Sequence, residues 1–505
     1  MKILTAENIR SADEFTIKNK PISSLELMEN AASFCAEWIF QNCKHHHAFA
    51  VFCGTGNNGG DGFAIARMLY LKGFDVDVFI DFSNEKRSQD AQINYNRLKE
   101  ISGIEINDFN DFDFDQMNQE TVIIDALFGT GLSRRIEGND AELVHKLNNL
   151  KQKKIAVDIP SGLFADAISK EDQVVLKADY TLTFQFWKRS FLHPETGKFA
   201  GKVIVLDIDL SKEFIEKVST DYFVIEDEGI KNVFKERTDF SHKGSYGKAI
   251  IVAGSYGKIG AAVLATKSAL KTGAGLTFTI APDCGYEILQ TTNPEAMFIG
   301  GGEKYVEEII LQEDAVYGIG PGLDKDVSTK KALLEFLKQV SKPLLLDADA
   351  LNIISENKEN INSIPGNSII TPHPKEFERL FGSTEDSFQR LELAREKAKE
   401  YRIFIVLKDH HTQIINPEGK VYYNITGNSG LAKGGSGDIL TGIITSLLAQ
   451  KYSPQEACIL GVWLHGKAAD FAAEKFSKEA MLPTNVIDEL GNVFLDLNKK
   501  ATTGL

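Results

Sequence analysis

Residues 48–62, AFAVFCGTGNNGGDG, decide the fold. A short apolar and aromatic run gives way to a glycine-rich turn, and a helical pattern follows. Strand, turn and helix in that order form the first half of a βαβ unit. Working outward, similar runs recur at DVDVFI (75–80), TVIID (121–125), KIAVD (154–158), YTLTF (180–184) and VIVLD (203–207), with helical stretches between the first four. This alternation predicts a mostly parallel sheet covered on both faces. The charged segment LSKEFIEKVSTD (210–221) then separates a second series: KAIIVAG (248–254), GLTFTI (275–280), AVYGIG (315–320), PLLLDAD (343–349), SIITP (368–372) and IFIVLK (403–408). Amphipathic helices are predicted at 261–273 and 386–401, and two or three periodic helices, including DILTGIITSLLAQ (438–450), close the chain. The fold class is α/β in two domains, over residues 1–215 and 223–505.

The bulk properties agree with a globular protein. At 505 residues the chain is too long for one ordinary domain. Hydrophobic residues at 43% and charged residues at 25% suffice for large cores. A formal net charge of −15 argues against a nucleic-acid partner, which needs a basic stripe to displace counterions. It leaves room for a small anionic ligand, because loop amides and helix N-termini bind phosphate without net positive charge. Cys35, Cys43, Cys53, Cys284 and Cys458 form no CxxC pair and no zinc-spaced cluster, as expected of reduced intracellular thiols. The opening MKILTAENIRSADEF lacks an apolar segment of signal-peptide type, and no run of 18 apolar residues occurs. A cytoplasmic protein with no membrane partner is expected.

Gly54, Gly56 and Gly59 satisfy GxGxxG, and Asp81 falls about 20 residues on, where a dinucleotide-binding fold would hold a ribose. Three features count against a dehydrogenase. Asn57 and Asn58 fill positions that need nothing special in such a turn, Asp61 directly follows Gly60, and two later strand ends carry comparable loops. Those loops are DALFGTGLSRR (125–135) and DIPSG (158–162). Ligands bind beyond the carboxyl ends of parallel strands, so all three loops should line one crevice. Asn58, Asp125 and Ser161 are hard oxygen donors able to converge on a monovalent cation, and Asp158 suits acid/base work.

In the second half, GNSGLAKGGSGDILTG (427–442) leads a glycine-rich turn into a helix. The amides of Gly435, Ser436 and Gly437 would form an anion hole with Asp438 facing the same point. A carboxylate beside an anion site is what phosphoryl transfer to an alcohol requires. No Walker A motif is present; the nearest match, GVWLHGK (461–467), reads as packing within a helix. TPHPKEF (371–377) sets His373 between prolines, LKDHHT (407–412) ends a strand with Lys408, and GPGL (320–323) and GSYGKIGAA (254–262) are further turns. His45–His47 read as a solvated face.

GNNGGDG, DALFGTGL and DIPSG together resemble the NAD(P)H-hydrate epimerase domain. HKGSYGKAIIVAGS, GPGL, DADAL, TPHPKEF and NITGNSGLAKGGSGDILTG resemble the ADP/ATP-dependent NAD(P)H-hydrate dehydratases, which are ribokinase-like. In this order the chain is similar along its whole length to the bifunctional NAD(P)H-hydrate repair family. The resemblance implies an N-terminal Rossmann-like three-layer αβα sandwich and a C-terminal ribokinase-like αβα domain. It also implies two activities on hydrated NADH and NADPH (NADHX and NADPHX), whose C6 hydroxyl exists in R and S forms. One domain interconverts the epimers; the other phosphorylates the S form from ADP (or ATP) and eliminates phosphate.

Carried onto this chain, epimerase substrate contacts fall on Asn57, Asn58, Gly59, Gly60, Asp61, Gly129, Thr130, Gly131, Leu132, Ser133, Arg134, Arg135 and Asp158, with potassium on Asn58, Asp125 and Ser161. Dehydratase substrate contacts fall on Ala261, Gly322, His373 and Asp438. ADP, carrying magnesium, would lie against Lys408, Asp409, His410, His411, Thr412, Ser429, Gly430, Leu431, Ala432, Lys433, Gly434, Gly435, Ser436 and Gly437. Asp158 and Asp438 are the expected catalytic groups, and a homo-oligomer is the expected assembly. Asp409 departs from the family, which usually carries a small residue after the lysine; beside ADP phosphates a carboxylate is unhelpful unless it points away. The rival reading is a ribokinase-class kinase of a small alcohol with a non-catalytic N-terminal binding module.

Overall fold

The computed structural model describes residues 1–84, 86–169 and 173–502. It divides into two compact units, Lys2–Thr220 and Asp221–Leu505 with Met1.

The first unit is built on seven strands: β1 Ala48–Cys53, β2 Asp75–Ile80, β3 Glu105–Asp108, β4 Val122–Ala126, β5 Lys154–Val157, β6 Tyr180–Phe184 and β7 Lys202–Leu206. All are parallel, in the order β3-β2-β1-β4-β5-β6-β7. Alternation along β1 explains the three layers. Phe49, Val51 and Cys53 join a core with helices α2 (Ser24–Asn42) and α3 (Asn57–Leu71), while Ala50 and Phe52 face α5 (Gly138–Asn149). Both faces are therefore dry, which a parallel sheet requires. Two further helices, α1 (Ala6–Asn19) and α4 (Gln89–Lys99), complete the main set. Strand order reverses between β1 and β4, so the turns after these strands open side by side at the topological switch point.

The second unit carries ten strands: β8 Tyr222–Ile225, β9 Lys248–Val252, β10 Leu276–Ala281, β11 Met297–Gly300, β12 Val316–Ile319, β13 Leu345–Leu346, β14 Ile369–Ile370, β15 Phe404–Leu407, β16 Gln413–Ile415 and β17 Val421–Asn424. Their order is β11-β10-β9-β12-β13-β14-β15-β16-β17-β8. Strands β9 to β15 pair in parallel, and the pairings β15–β16 and β16–β17 are antiparallel. The charged separator seen in the sequence holds a short helix, Lys212–Lys217, and leads directly into β8, which pairs parallel to β17. The helix Ser436–Ala449 is buried continuously from Ile439 to Ala449. A helix apolar on every side belongs inside a core.

The GNNGGDG turn is shaped by close backbone approach. A Cβ on Gly59 would lie 1.9 Å from the Gly54 carbonyl oxygen, and one on Gly54 would lie 1.9 Å from that of Leu127. The turns after β1 and β4 thus touch through bare backbone. Replacing Gly59 with Ala should destabilise this unit by about 1–3 kcal/mol or more, by overpacking; an unchanged thermal unfolding midpoint would contradict this account of the turn.

Candidate functional site

In the first unit a cleft of about 510 Å³ opens where the strands end. Its lining includes Asn57, Asn58, Asp61, Gly129, Thr130, Gly131, Leu132, Ser133, Arg134 and Asp158. The three loops singled out in the sequence therefore converge. Gly59 and Gly60 do not line it: both are buried, and the Gly60 N–H is spent on the Gly56 carbonyl at 3.2 Å. Arg135 also lies outside the lining. Asp81 caps its own turn, accepting from the Ser83 N–H at 2.9 Å and hydroxyl at 2.6 Å, and takes no part in the cleft.

Asp158 sits just beyond β5 with φ 64°, and the Ile159 N–H returns to the Val157 carbonyl at 2.8 Å. This is a γ-turn of the strained hand, which costs on the order of 1–3 kcal/mol and turns the side chain out of the strand line. Gln185 repeats the device after β6, with φ 58° and Phe186 N–H on the Phe184 carbonyl at 2.6 Å. The Asp158 carboxylate is held by the fully buried Lys188, whose Nζ lies 2.7 Å from Oδ1 and 2.6 Å from the Thr183 hydroxyl. The Thr130 N–H donates to Oδ2 at 3.2 Å. Burial alone would raise this carboxyl, but the Lys188 ammonium and these hydrogen bonds hold it below its usual value.

Two other carboxyls in the cleft move the opposite way. Burial, then the Asp158 charge, raises Asp13 to about 7. Burial, Asp158 and Asp13 drive Asp61 well above its usual value. Lys188, Asp13 and Arg10 of α1 carry no glycine or strand-end signal and were not legible as site residues.

Asp125 is fully buried within β4. Its Oδ1 accepts from the Ser161 hydroxyl at 2.6 Å and the Leu127 N–H at 3.2 Å, and its Oδ2 from the Ser161 N–H at 2.8 Å. Burial pushes it up to about 6 even though the Ser161 bonds oppose the shift. The Asn58 side-chain Nδ2 is buried without a partner, and its Oδ1 lies against Gly129. Asn58 Oδ1, the Asp125 carboxylate and the Ser161 hydroxyl are oxygen donors of the kind a hard cation takes, whereas the orphaned Nδ2 is a hydrogen-bond donor and no ligand.

In the second unit a cleft of about 430 Å³ is lined by Lys408, Asp409, His410, His411, Thr412, Ser429, Leu431, Ala432, Ser436 and Gly437. Of the remaining residues expected there, Gly430, Lys433, Gly434 and Gly435 are absent from the lining. Gly430 is packed under Met481 and Asn428, and Lys433 points its Nζ at the Met481 carbonyl at 2.7 Å. Gly435 supplies the left-handed N-cap, φ 99°, that starts the helix. Asp409 lines the cleft, and its Oδ2 accepts from Arg390 at 2.7 Å. The GVWLHGK stretch is more than packing, since Val462, His465 and Gly466 form a wall. Burial pushes His465 and His411 down to about 4, so both imidazoles are neutral.

Asp347, His373 and Lys408 emerge from the ends of the neighbouring strands β13, β14 and β15. Lys408 Nζ bonds the buried Asp347 at 2.8 Å and lies 4.0 Å from Glu376; the Thr441 hydroxyl also donates to Asp347 at 2.9 Å. The helix Ser436–Ala449 brings Asp438 to this cluster, and a Cβ on Gly437 would sit 3.4 Å from Lys408 Nζ. Burial first, then the Asp347 charge, raises Asp438 to about 7. Ala261 and Gly322 meet at one side: a Cβ on Gly322 would lie 2.9 Å from that of Ala261. None of these four substrate positions is in the lining of the Lys408–Gly466 cleft, but Asp438 adjoins Gly437 and Lys408, which are.

A family model described as YjeF-related protein N-terminus matches residues 24–190, and one described as NAD(P)H-hydrate dehydratase matches 249–492. The bifunctional NAD(P)H-hydrate repair enzyme Nnr of Moorella thermoacetica is 33% identical over 100% of this chain and 98% of its own length. The protein of that name from Escherichia coli K12 is 32% identical over 97% and 93%. Among solved structures, the ADP/ATP-dependent NAD(P)H-hydrate dehydratase of Bacillus subtilis, co-crystallised with ATP and Mg2+, is 32% identical with a TM-score of 0.50, covering 55% of this chain and 98% of its own. Fold and family matches together define a two-domain α/β enzyme whose second half is an NAD(P)H-hydrate dehydratase-type domain. No helix among the described residues is long and apolar enough to cross a membrane. The chain belongs to the bifunctional NAD(P)H-hydrate repair enzymes.

Lys188 balances a carboxylate that no water reaches freely. Lys188→Met should cost about 3–5 kcal/mol of unfolding free energy, because it strands a buried charge; denaturant titration showing less than 1 kcal/mol would mean that Asp158 finds another partner.

Proposed function

We propose that the Lys2–Thr220 unit interconverts the R and S forms of hydrated NADH and NADPH, and that the Asp221–Leu505 unit dehydrates the S form using ADP. What carries the reading is that each family-matched unit places a buried aspartate at a strand exit beside a helix N-terminus. Phosphate groups of the dinucleotide suit the first turn of α3, where Asn57 and Asn58 present N–H groups without intrahelical acceptors. Asp158, ionised and held by Lys188, is the proton acceptor at the hydroxylated carbon. Asn58, Asp125 and Ser161 would hold potassium, which would supply the positive charge that buried Asp125 lacks.

In the second unit Asp438 takes the proton of the C6 hydroxyl as it attacks the terminal phosphoryl group of the nucleotide. The Gly437 and Asp438 amides at the helix start face the charge on the moving group, and Lys408 stands beside them. Phosphate then leaves with the C6–O electrons, the ring nitrogen lone pair assists, and loss of the C5 proton restores the dihydropyridine. Magnesium would accompany the nucleotide phosphates, with Asp347 and Asp349 the nearest oxygen donors. The Arg390 bond keeps the Asp409 charge off those phosphates, so its presence is compatible with ADP.

Incubation with hydrated NADH and ADP should restore the dihydropyridine absorbance, and ATP in its place should support a lower rate; no recovery with either nucleotide would overturn the reading. Asp438→Asn should abolish dehydration while epimerisation continues, and undiminished turnover would exclude Asp438 as the base. Because a base works deprotonated and Asp438 sits near 7, the dehydration rate should rise with pH through about 7 and level off above it. Asp158→Ala should leave S-form repair intact and slow consumption of the R form; equal rates for both forms, where spontaneous epimerisation is slow, would count against its role.

A further inference from the structure

Helix α1 precedes the residues matched by the N-terminal family model, which begin at 24, yet it forms one wall of the first cleft. Ala6, Ile9, Arg10 and Asp13 line that wall, and their spacing of three and four traces one helical face. The helix is pinned at both ends. The Ala6 N–H donates to Asp166 at 2.7 Å, the Ser211 N–H to the Thr16 hydroxyl at 2.9 Å, and Lys20 bonds Asp209 at 2.8 Å. Asp13 is thus presented from a fixed element. Burial and the neighbouring charges set its carboxyl.

We propose that Asp13 is the general acid of the epimerase centre, working against the Asp158 carboxylate; this rests on the epimerase reading above. The charged groups facing Asp13 are Asp158 beyond β5, Lys188 beyond β6, Asp61 on α3, and Arg10 and Glu14 on its own helix. Closely spaced carboxyls in a partly buried cleft do not all ionise. Lys188 bonds Asp158 and assigns it the negative charge, so the proton remains with the others. Asp61 is buried on α3, whereas Asp13 is only partly buried in the cleft wall and, at about 7, is matched to the working pH.

The step balances as follows. Asp13 gives its proton to the C6 hydroxyl as the C6–O bond breaks, the ring nitrogen lone pair forms a cyclic iminium, and water departs. Water then adds to C6 from the opposite face and loses a proton to the Asp158 carboxylate. One proton has moved from Asp13 to Asp158, and either turnover in the reverse direction or exchange with solvent resets the pair.

Asp13→Asn keeps the size of the side chain and removes its transferable proton. With the S-form dehydratase rate of the same chain as internal clock, this variant should consume the R form at least about 100-fold more slowly. The half-saturating R-form concentration should change by less than a few-fold. Wild-type epimerisation should fall as pH rises through about 7, where the acid form of Asp13 is lost, and the residual rate of the variant should lack that limb. Asp13→Glu should recover part of the rate. The proposal is overturned by an Asn variant that epimerises at the wild-type rate or keeps the limb, and equally by loss of R-form saturation in both variants, which marks a structural role. A wild-type protein unable to convert the R form removes the epimerase reading itself, a result distinct from either.

Discussion

Burying a carboxylate without a partner costs several kcal/mol, and both units of this protein gather carboxylates where their strands end. Each solves the problem with one lysine. Lys188 is spent on Asp158 in the first unit, and Lys408 on Asp347 in the second. The carboxyls left over carry the consequence. Asp13 and Asp61 in one unit, and Asp438 and Glu376 in the other, are raised by burial and by the charge of the carboxylate that the lysine bonds. A single ammonium bonds one carboxyl in each cluster while its neighbours are raised, and unequal neighbouring carboxyls are what acid/base chemistry near neutrality needs.

Strands β1, β2 and β6 coincide with the runs read from the sequence: β1 is continuously apolar, as a strand buried on both faces should be, and β2 and β6 are rich in β-branched and aromatic residues. Others were hidden for physical reasons. The EIND of β3 is an edge strand without buried residues, and β11 is likewise half-exposed. The YFVI of β8 follows a charged segment, and its partner β17 lies two hundred positions away, beyond any local pattern. Strands β13 and β14 hold only two residues each, because the backbone leaves the ladder early to deliver Asp347 and His373.

The sites were legible where backbone geometry writes itself into composition. Glycines mark turns that approach other backbone, so GNNGGDG and GGSGD could be read directly. Lys188 could not, since a lysine four residues past a β-strand looks like a surface group until Asp158, thirty residues earlier, is placed opposite it. Asp13 on α1 and His465 on the 454–480 helix are similar: residues on long helices reach a cleft only through packing that no short motif records. Conversely, Lys433 and Gly59 stand within the right motifs but serve the loop itself. Membership of a glycine-rich motif does not by itself place a residue in the cleft wall.

The helix that starts at Ser436 has no free surface from Ile439 onward. Its N-terminal amides are consequently the tip of a wedge clamped by the interior, unable to tilt unless neighbouring side chains give way. Tightly packed protein interiors transmit strain rather than absorb it. Lesions deep in this hydrophobic layer, far from any ligand, should therefore register first as misaimed amides and poor turnover, and only later as melting of the fold.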